Sequence, residues 1–478
     1  MHLPTPLNEQ SDPCPVSKPG RRKWLGAALG GALCCVTGVG RPAPAQANVQ
    51  AQAHAHAHGQ ASSSRLALLI GNADYPAPHD LPPIHKNVMD LSDALAARGF
   101  EVTEAMNLNE TGLLATVREF VRQVAQAPAD ATTLFYYAGH GLQVDANNLL
   151  LGCGVNPRGP RKELLANSLV LQHQLLAQLP ARPKALNMLV IDACRTDLRH
   201  AFGDQDGFNQ VEAPLGGLVC FSTDAGRPAV SPDRPDQNTF YTASLVKLLR
   251  QAPAHTTFND LFRLVKQDVE QTMRAHPVAA IRQLAQRPFI ADNAAVQVPL
   301  GVTAAHQQAQ ALVDAMQSDA ELRAWQAVQQ ATWPLDVIAR SRQYLDEFEH
   351  GAQVDLAKLY MAGAQEAMRL LRAKSVGLYK TSFISPTHDH AELHRAARGD
   401  KDAAARIARQ HRNEGGERGL LRYAGWLQFA SALGNGIASY ELALLYRETG
   451  QAVLAAQAEA RALELGYRPP RSLSHERK

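Results

Sequence analysis

The sequence lacks an excess of either charge. Its 478 residues contain 48 Lys and Arg against 45 Asp and Glu, a formal net charge of +3. No concentrated basic stripe breaks this balance, and binding to a polyanion needs a clustered positive surface. We therefore predict no nucleic-acid partner. A chain of this length exceeds one compact core, so two or three domains are expected.

Long hydrophobic runs are absent after the N-terminus. The uncharged apolar stretch near the N-terminus, residues 26–40, is short and rich in Gly and Ala, which makes a poor permanent membrane anchor. Arg21 and Arg22 precede it and Ala45-Gln46-Ala47 follows it, the order of a cleaved export signal of the twin-arginine type. We predict a signal peptide over 1–47, a periplasmic or secreted protein, and no membrane association after cleavage. The alternatives are an N-terminal anchor and a chance Arg-Arg pair.

Cysteines are few, and three of the six lie in the predicted signal. The remaining Cys153, Cys194 and Cys220 cannot build a disulfide framework and leave an odd thiol that invites a reactive role. If Cys194 is reactive, only Cys153 and Cys220 can pair. Because twin-arginine cargo crosses the membrane already folded, we expect both of these to be buried and reduced.

Residues 48–64 consist of Ala, Gln, His and Ser without a periodic apolar pattern, which predicts a linker. His54, His56 and His58 alternate with Ala and would share one side of an extended chain. These three histidines could bind a metal ion loosely, but a solvated tail is the simpler interpretation. The sequence thus predicts no metal site and requires no cofactor, and it leaves activation by calcium open.

From residue 66 to about 289, patterns typical of strands and helices alternate. Residues 66–70 form a solid apolar run ended by Gly71, as expected of a buried parallel strand. The alternation predicts a mostly parallel sheet covered by helices over 65–292, with functional groups at the carboxyl ends of the strands. Further strands are predicted at 100–102, 132–137, 149–151, 188–191 and 218–222, and helices at 88–98, 113–125, 169–179 and 241–249.

Strand patterns stop after residue 293. Residues 293–378 predict a helical region with Trp325, Trp333 and Tyr344 among its packing residues. Within 379–478, Gly399-Asp400 opens one helical stretch and Gly434-Asn435 another. Small residues recur at the same offset in both stretches, a pattern typical of helix-pair repeats: Ala403 and Ala408 match Ala438 and Ala443.

Two motifs follow predicted core strands. Gly139-His140-Gly141 sets an imidazole between glycines that let the chain turn sharply. Asp192-Ala193-Cys194 sets a thiol behind a small residue. Singly, such a Cys is most often a buried small hydrophobe and such a His a turn residue. Because both motifs end neighbouring strands of one sheet, together they predict a cysteine-dependent catalytic site.

Residues 65 to about 290 resemble a caspase-like peptidase domain (peptidase C14 type) of the metacaspase and orthocaspase branch. The two motifs carry the resemblance, and the spacing of His140 and Cys194 fits a His about 50 residues before an Ala-Cys sequence. Residues 320–371 resemble the helical stretch behind such bacterial domains, and 390–470 resemble Sel1-type repeats. Supporting similarity lies in 68–72 with Tyr75, 213–216, 221–226 and 241–242.

The resemblance implies an endopeptidase mechanism. The Cys194 thiolate would attack a peptide carbonyl and form an acyl-enzyme. His140 would be the general acid and base. The backbone N–H groups of Gly141 and Cys194 would form the oxyanion hole. No third catalytic residue is predicted.

The resemblance also implies cleavage after Arg or Lys, because carboxylates line the S1 pocket of such enzymes. Asp192 matches one of these acids. The position of the second falls on Asn87, and Asp90, one turn on, is the substitute. The alternative for Asp192 is a strand-end residue that bonds local backbone.

The polar loop 196–215, with Arg195 and Arg199 near its start, is equally consistent with an autocleavage site and a plain surface loop. The predicted partners are a protein or peptide substrate and a protein bound by the repeats. The rival interpretation is a catalytically weak scaffold that recruits proteins through the repeats. The presence of both His140 and Cys194 favours the enzyme.

Overall fold

The computed structural model describes residues 64–144, 147–195, 210–224, 229–232, 234–301, 319–385, 388–414 and 416–469. The predicted signal, the His-containing linker and residues 196–209 lie outside them. In the described part, eight strands form one sheet. In chain order they are β1 Arg65–Gly71, β2 Glu101–Met106, β3 Thr132–Val144, β4 Asn147–Leu151, β5 Ser168–Val170, β6 Asn187–Arg195, β7 Gly217–Phe221 and β8 Phe289–Asn293.

The main sheet has the strand order β2-β1-β3-β6-β7-β8. Its first five strands run parallel, and β8 joins β7 antiparallel. β4 pairs antiparallel with β3 and with β5. A parallel sheet buries both faces, which explains the uninterrupted apolar runs of β1 and β6. The mostly parallel sheet flanked by helices is confirmed.

Helices cover both faces of the sheet. Leu69, Tyr136 and Val190 face one apolar core, while their neighbours Leu68 and Leu189 face the other. This alternation is the period of two expected for strands. The helices up to β8 are α1 Ile84–Ala96, α2 Glu110–Gln126, α3 Arg161–Ala166, α4 Leu171–Gln174, a 3₁₀ turn Leu176–Gln178, α5 Phe240–Gln251, α6 Phe258–Arg274 and α7 Ala279–Gln283.

Three sequence predictions differ from the structure. The helix predicted over 169–179 is β5 followed by α4 and a 3₁₀ turn. The edge strand β8 was not predicted, because a short antiparallel edge gives little periodic signal. The helix α6 was not predicted either, although it is 17 residues long. The core strands β3 and β6 extend well beyond the predicted ends at residues 137 and 191.

Beyond β8 all described elements are helical, as predicted. They are α8 Asp319–Gln330, α9 Pro334–Glu347, α10 Val354–Leu371, α11 Lys380–Phe383, α12 His390–Ala397, α13 Lys401–Glu414, α14 Gly416–Ala432, α15 Gly436–Glu448 and α16 Ala452–Glu464. The four repeat alanines of the sequence pattern are fully buried. We refer to α12–α16 as the C-terminal helices. No described helix is long and apolar enough to cross a membrane.

The C-terminal helices contact the sheet domain through a buried ionic cluster, made of Asp292 on β8, Arg263 on α6, and Arg395 and Asp400 at α12 and its end. The guanidinium of Arg395 lies 2.6 Å from Asp292 Oδ1 and 3.0 Å from Asp400 Oδ2. Arg263 lies 2.6 Å from Asp400 Oδ2. Burial alone would raise the pKa of Asp400, but Arg395 and Arg263 outweigh it and hold that pKa well below its usual range.

Candidate functional site

The two predicted catalytic positions are register neighbours in the sheet. β3 and β6 run parallel, and their register pairs His140 with Cys194 and Ala138 with Asp192. Residues 54 positions apart in the chain are therefore adjacent across one strand pair, toward the carboxyl ends of both strands. The backbone of Cys194 belongs to β6, and its side chain lies outside the described part of the structure.

Two tyrosines hold the backbone of His140. The Tyr75 hydroxyl accepts a hydrogen bond from His140 N at 3.2 Å and donates to Leu151 O. The Tyr137 hydroxyl lies 3.0 Å from His140 O and 2.7 Å from Leu151 O. The Tyr75 ring also meets the imidazole edge-on, with ring centroids 4.5 Å apart. Both hydroxyls therefore fix the strand at the histidine, and the ring restricts the imidazole.

The protonation pattern of His140 follows from one contact. Its Nε2 lies 2.8 Å from the backbone oxygen of His79. A carbonyl oxygen can only accept, so Nε2 carries a proton and, in the neutral ring, Nδ1 holds the free lone pair. Nδ1 is buried and has no hydrogen-bond partner among the described residues. Burial lowers the pKa of His140, and the bond to His79 opposes that shift only in part. Burial thus favours the neutral ring, in which the lone pair lies on Nδ1.

The glycine before His140 has a different role from the one predicted. β3 continues through Gly139-His140-Gly141 without a turn, so the turn expected from the flanking glycines is wrong. A Cβ at Gly139 would lie 2.6 Å from the Tyr137 hydroxyl oxygen and 2.9 Å from that of Tyr75. Gly139 is required because the two tyrosines pass over the strand at this point.

Asp192 lies in a network of hydroxyl donors at the start of α5. Its Oδ2 accepts hydrogen bonds from the hydroxyls of Thr239 at 2.5 Å and Thr242 at 2.7 Å. Asn87 Nδ2 in turn donates to the Thr239 hydroxyl at 3.0 Å. Burial raises the pKa of Asp192, while the threonine hydroxyls act against that shift. The partners of Asp192 thus lie at the start of α5, far from it in the chain, and Thr242 bonds it through both its hydroxyl and its backbone. Asn87 of α1 reaches Asp192 only through Thr239.

Asp90 lies beside the same helix start. Its Oδ2 accepts from Asn238 Nδ2 at 2.7 Å and pairs with Lys86 Nζ at 2.8 Å. Burial alone would raise the pKa of Asp90, but the bonds from Lys86 and Asn238 outweigh the effect of burial, so the pKa of Asp90 is lowered. Because Asn238 and Thr239 are consecutive, the structure brings both predicted S1 acids to one place, with Asp90 already paired to a lysine.

Gly141, the residue predicted for the oxyanion hole, lies inside β3, in register with Leu150 of β4 and Arg195 of β6.

The other two cysteines of the predicted mature chain, Cys153 and Cys220, are both free thiols. Cys220 is buried as expected, but Cys153 is only partly buried, so that prediction is wrong for Cys153. It follows β4 at the sheet margin, where burial raises its pKa to about 11. The described residues contain no cluster of three or more metal-binding side chains.

Sequence reasoning missed the groups that orient His140. The contact from His79 comes from a backbone carbonyl, which any residue type supplies and no sequence pattern shows. Tyr75 was noted only through the family resemblance, and its bond joins the loop after β1 to His140, which lies 65 positions further along the chain. The available signal was the pair of tyrosines at 136 and 137 before a Gly-His-Gly sequence.

Comparison with known proteins gives the class of this domain. The family model described as the caspase domain (peptidase C14) matches residues 64–297, just under half of the chain. This part of the chain is therefore a caspase-like domain, a class that indicates cysteine peptidase activity.

A similarity to a particular protein is more limited. Human mucosa-associated lymphoid tissue lymphoma translocation protein 1 is 28% identical over 134 residues, which cover 28% of this chain. The chain spans only 15% of the length of that curated relative.

Proposed function

We propose that the chain is a cysteine endopeptidase that uses Cys194 and His140 as a catalytic dyad. The register pairing of these two positions in β3 and β6 is the observation that carries the proposal. The bond from His140 Nε2 to His79 O leaves Nδ1 buried and without a partner among the described residues, which supports the proposal independently. A merely structural histidine at this depth would be expected to use both ring nitrogens.

The mechanism follows from the tautomer. Nδ1 takes the thiol proton of Cys194, and the thiolate attacks the substrate carbonyl carbon to form a tetrahedral intermediate. The imidazolium then donates this proton to the leaving amine, and the acyl-enzyme remains. Nδ1 next removes a proton from water, which hydrolyses the thioester and restores the free thiol. Throughout, the His79 carbonyl accepts from Nε2–H and steadies the imidazolium.

We further propose that the S1 pocket accepts a cationic side chain, at the start of α5. Asp192 supplies a buried carboxylate, and Asn238 Oδ1 is a buried acceptor without a partner among the described residues. A guanidinium has five donors in a planar fork and suits several acceptors at once. Because Lys86 already pairs with Asp90, we assign the charge recognition chiefly to Asp192.

Peptide hydrolysis tests both proposals. The substrates are fluorogenic peptides that differ only in the P1 residue (Arg, Lys, norleucine or Asp). The wild-type chain should cleave the peptides with P1 Arg or Lys faster than those with norleucine or Asp. Cys194→Ala and His140→Ala should each abolish turnover. If neither the wild type nor Cys194→Ala cleaved any peptide of a broad library, the proposed peptidase activity would be wrong. A preference for P1 Asp would contradict only the assignment of the S1 pocket.

Export is a separate proposal that rests on the sequence. Arg21 and Arg22 before an uncharged stretch support twin-arginine transport to the periplasm or beyond. Replacing both by Lys should retain the full-length precursor in the cytoplasm, which cell fractionation and immunoblotting would detect. Unchanged export of that variant would contradict the proposal.

A further inference from the structure

Residues 210–213 lie between the sheet domain and the C-terminal helices. Val211 and Ala213 are buried in the apolar core formed with β7 and β8. The alternate residues Gln210 and Glu212 bond instead to the C-terminal helices. Neighbouring side chains of this short segment are thus held by two different parts of the molecule.

Gln210 makes the more specific of these contacts. Its side-chain Nε2 donates to Leu465 O at 2.7 Å, and its Oε1 accepts from Gly436 N at 2.8 Å. Its backbone N donates to Gly466 O at 2.9 Å. The residue is 8% exposed. Both ends of its amide are therefore satisfied by backbone groups at the start of α15 and just after α16.

The fit around Gln210 is close. A Cβ at Gly436 would lie 2.9 Å from Gln210 Oε1 and 2.8 Å from Tyr467 Cβ. Only glycine leaves room for this approach. Glu212 adds an ion pair with Arg409 of α13, whose guanidinium also lies 2.8 Å from Glu441 of α15. The segment is tied to three of the C-terminal helices.

The position of this segment in the chain connects it to the proposed site. Residues 210–216 lead directly into β7, and β7 pairs along β6 up to the register pair Ile191 and Phe221. The next residue of β6 is Asp192. A displacement of Gln210 would therefore be transmitted through one strand to the strand that bears Asp192 and Cys194.

We propose that Gln210 is a positioning residue through which the C-terminal helices set the geometry of the peptidase site. This inference rests on the proposed cysteine peptidase function. The C-terminal helices would then be an integral support of the active enzyme, and any partner that shifts α15 or α16 would change the turnover rate.

The test compares two variants of Gln210 with a matched glutamine in the full-length chain. Gln210→Ala should lower kcat about tenfold with little change in KM, since a small misplacement at a reacting centre is costly. Hydrogen exchange of residues 210–216 should rise in parallel. The control is Gln428→Ala, because Gln428 also accepts from a glycine N–H and donates to an oxygen, but wholly within the helical region. It should leave kcat unchanged.

Gln210→Glu supplies a readout that a general loss of stability would not produce. The ionised carboxylate can still accept from Gly436 N but cannot donate to Leu465 O, whereas the protonated acid can. Activity relative to wild type should therefore recover as the pH falls from about 8 to about 5. Wild-type kcat in Gln210→Ala, despite faster exchange of residues 210–216, would overturn the positioning role and leave the peptidase standing. If the wild-type chain itself cleaved no peptide, both the positioning role of Gln210 and the peptidase function would be overturned.

Discussion

At the scale of single residues, the hydroxyl of Tyr75 is the contact that holds the backbone of His140. Tyr75→Phe leaves the buried His140 N–H without its acceptor, at a cost of about 1–3 kcal/mol. Because the imidazole is attached to that backbone, we expect kcat to fall as well as the free energy of unfolding. Steady-state peptide hydrolysis and urea denaturation measure the two effects.

Tyr344→Phe is the matched control for this prediction. The Tyr344 hydroxyl also accepts from a backbone N–H, that of Gln353, and donates to an oxygen, on Glu321 in the helical region. It should cost similar stability without a loss of kcat. Equal effects of the two variants on kcat would contradict a local role for Tyr75.

The depressed pKa of His140 predicts the acid limb of the pH profile. Because burial favours the neutral ring, kcat/KM should stay high below the usual His value of about 6.5 and fall only at lower pH. The same shift means that the folded chain binds fewer protons than the unfolded one below about pH 6.5, so stability should decrease as the pH falls. A midpoint of the kcat/KM profile above 6.5 would contradict the burial argument.

Candidate site residues could be named from the sequence where residue type determines chemistry, and their catalytic roles stay predictions. His140 and Cys194 could be selected because their motifs follow neighbouring strands of one sheet. Asp192 could be selected because it matches an acid of the family that the sequence resembles. The His79 carbonyl and the order of contacts around Thr239 could not be selected. They depend on how β3, α1 and α5 approach each other in space, which no local spacing encodes.

At the scale of elements, the start of α5 joins helix capping to the proposed S1 pocket. The Thr239 hydroxyl accepts from Thr242 N and donates to Asp192. Thr239→Ala should cost about 1–2 kcal/mol for the lost cap. It also removes a donor that lowers the pKa of Asp192, so that pKa should rise further and the preference for P1 Arg over norleucine should weaken. Denaturation and the ratio of kcat/KM values report these outcomes.

Thr257→Ala separates capping from recognition. Thr257 caps α6 in the same way, with its hydroxyl accepting from Asp260 N, and is remote from Asp192 in the hydrogen-bond network. It should lower stability to a similar extent and leave the P1 preference intact. If Thr257→Ala also lost the preference for P1 Arg over norleucine, stability alone would determine that preference.

Elements that have both a periodic pattern and sufficient length were predicted, except for the long helix α6. The core strand β1 and helix α2 were found because a solid apolar run and a long amphipathic pattern are distinctive. The 3-residue β5 and the 5-residue β8 are defined by their partners across the sheet rather than by their own sequence. The extension of β3 through Gly139 to Val144 was missed for the same reason, since pairing with β4 and β6 overrides the low strand propensity of glycine.

At the scale of the whole molecule, the ionic cluster joins the caspase-like domain to the C-terminal helices. Arg395 is 8% exposed and bridges Asp292 of β8 and Asp400. Arg395→Leu would leave both carboxylates buried with fewer positive partners, so we expect a loss of about 3–5 kcal/mol in the free energy of unfolding. Guanidinium denaturation of the full-length chain measures it.

An exposed pair in the same half of the chain is the control. Arg369 and Glu366 form an ion pair at 2.6 Å in which both side chains are at least half exposed. Arg369→Ala should cost about 0–1 kcal/mol. If Arg395→Leu cost no more than this, the two parts of the molecule would fold independently, contrary to the cluster.

Because positions 140 and 194 lie on different strands, the two halves of the proposed site are translated at different times. A ribosome makes β3 well before β6, so the emerging polypeptide holds an imidazole with no thiol beside it until the second strand has left the exit tunnel. Gln210 gains its partners later still, because Gly436 and Leu465 lie 226 and 255 positions further along the chain. Under the proposed function, the site therefore gains its support from Gln210 only after its two reacting residues have already been paired.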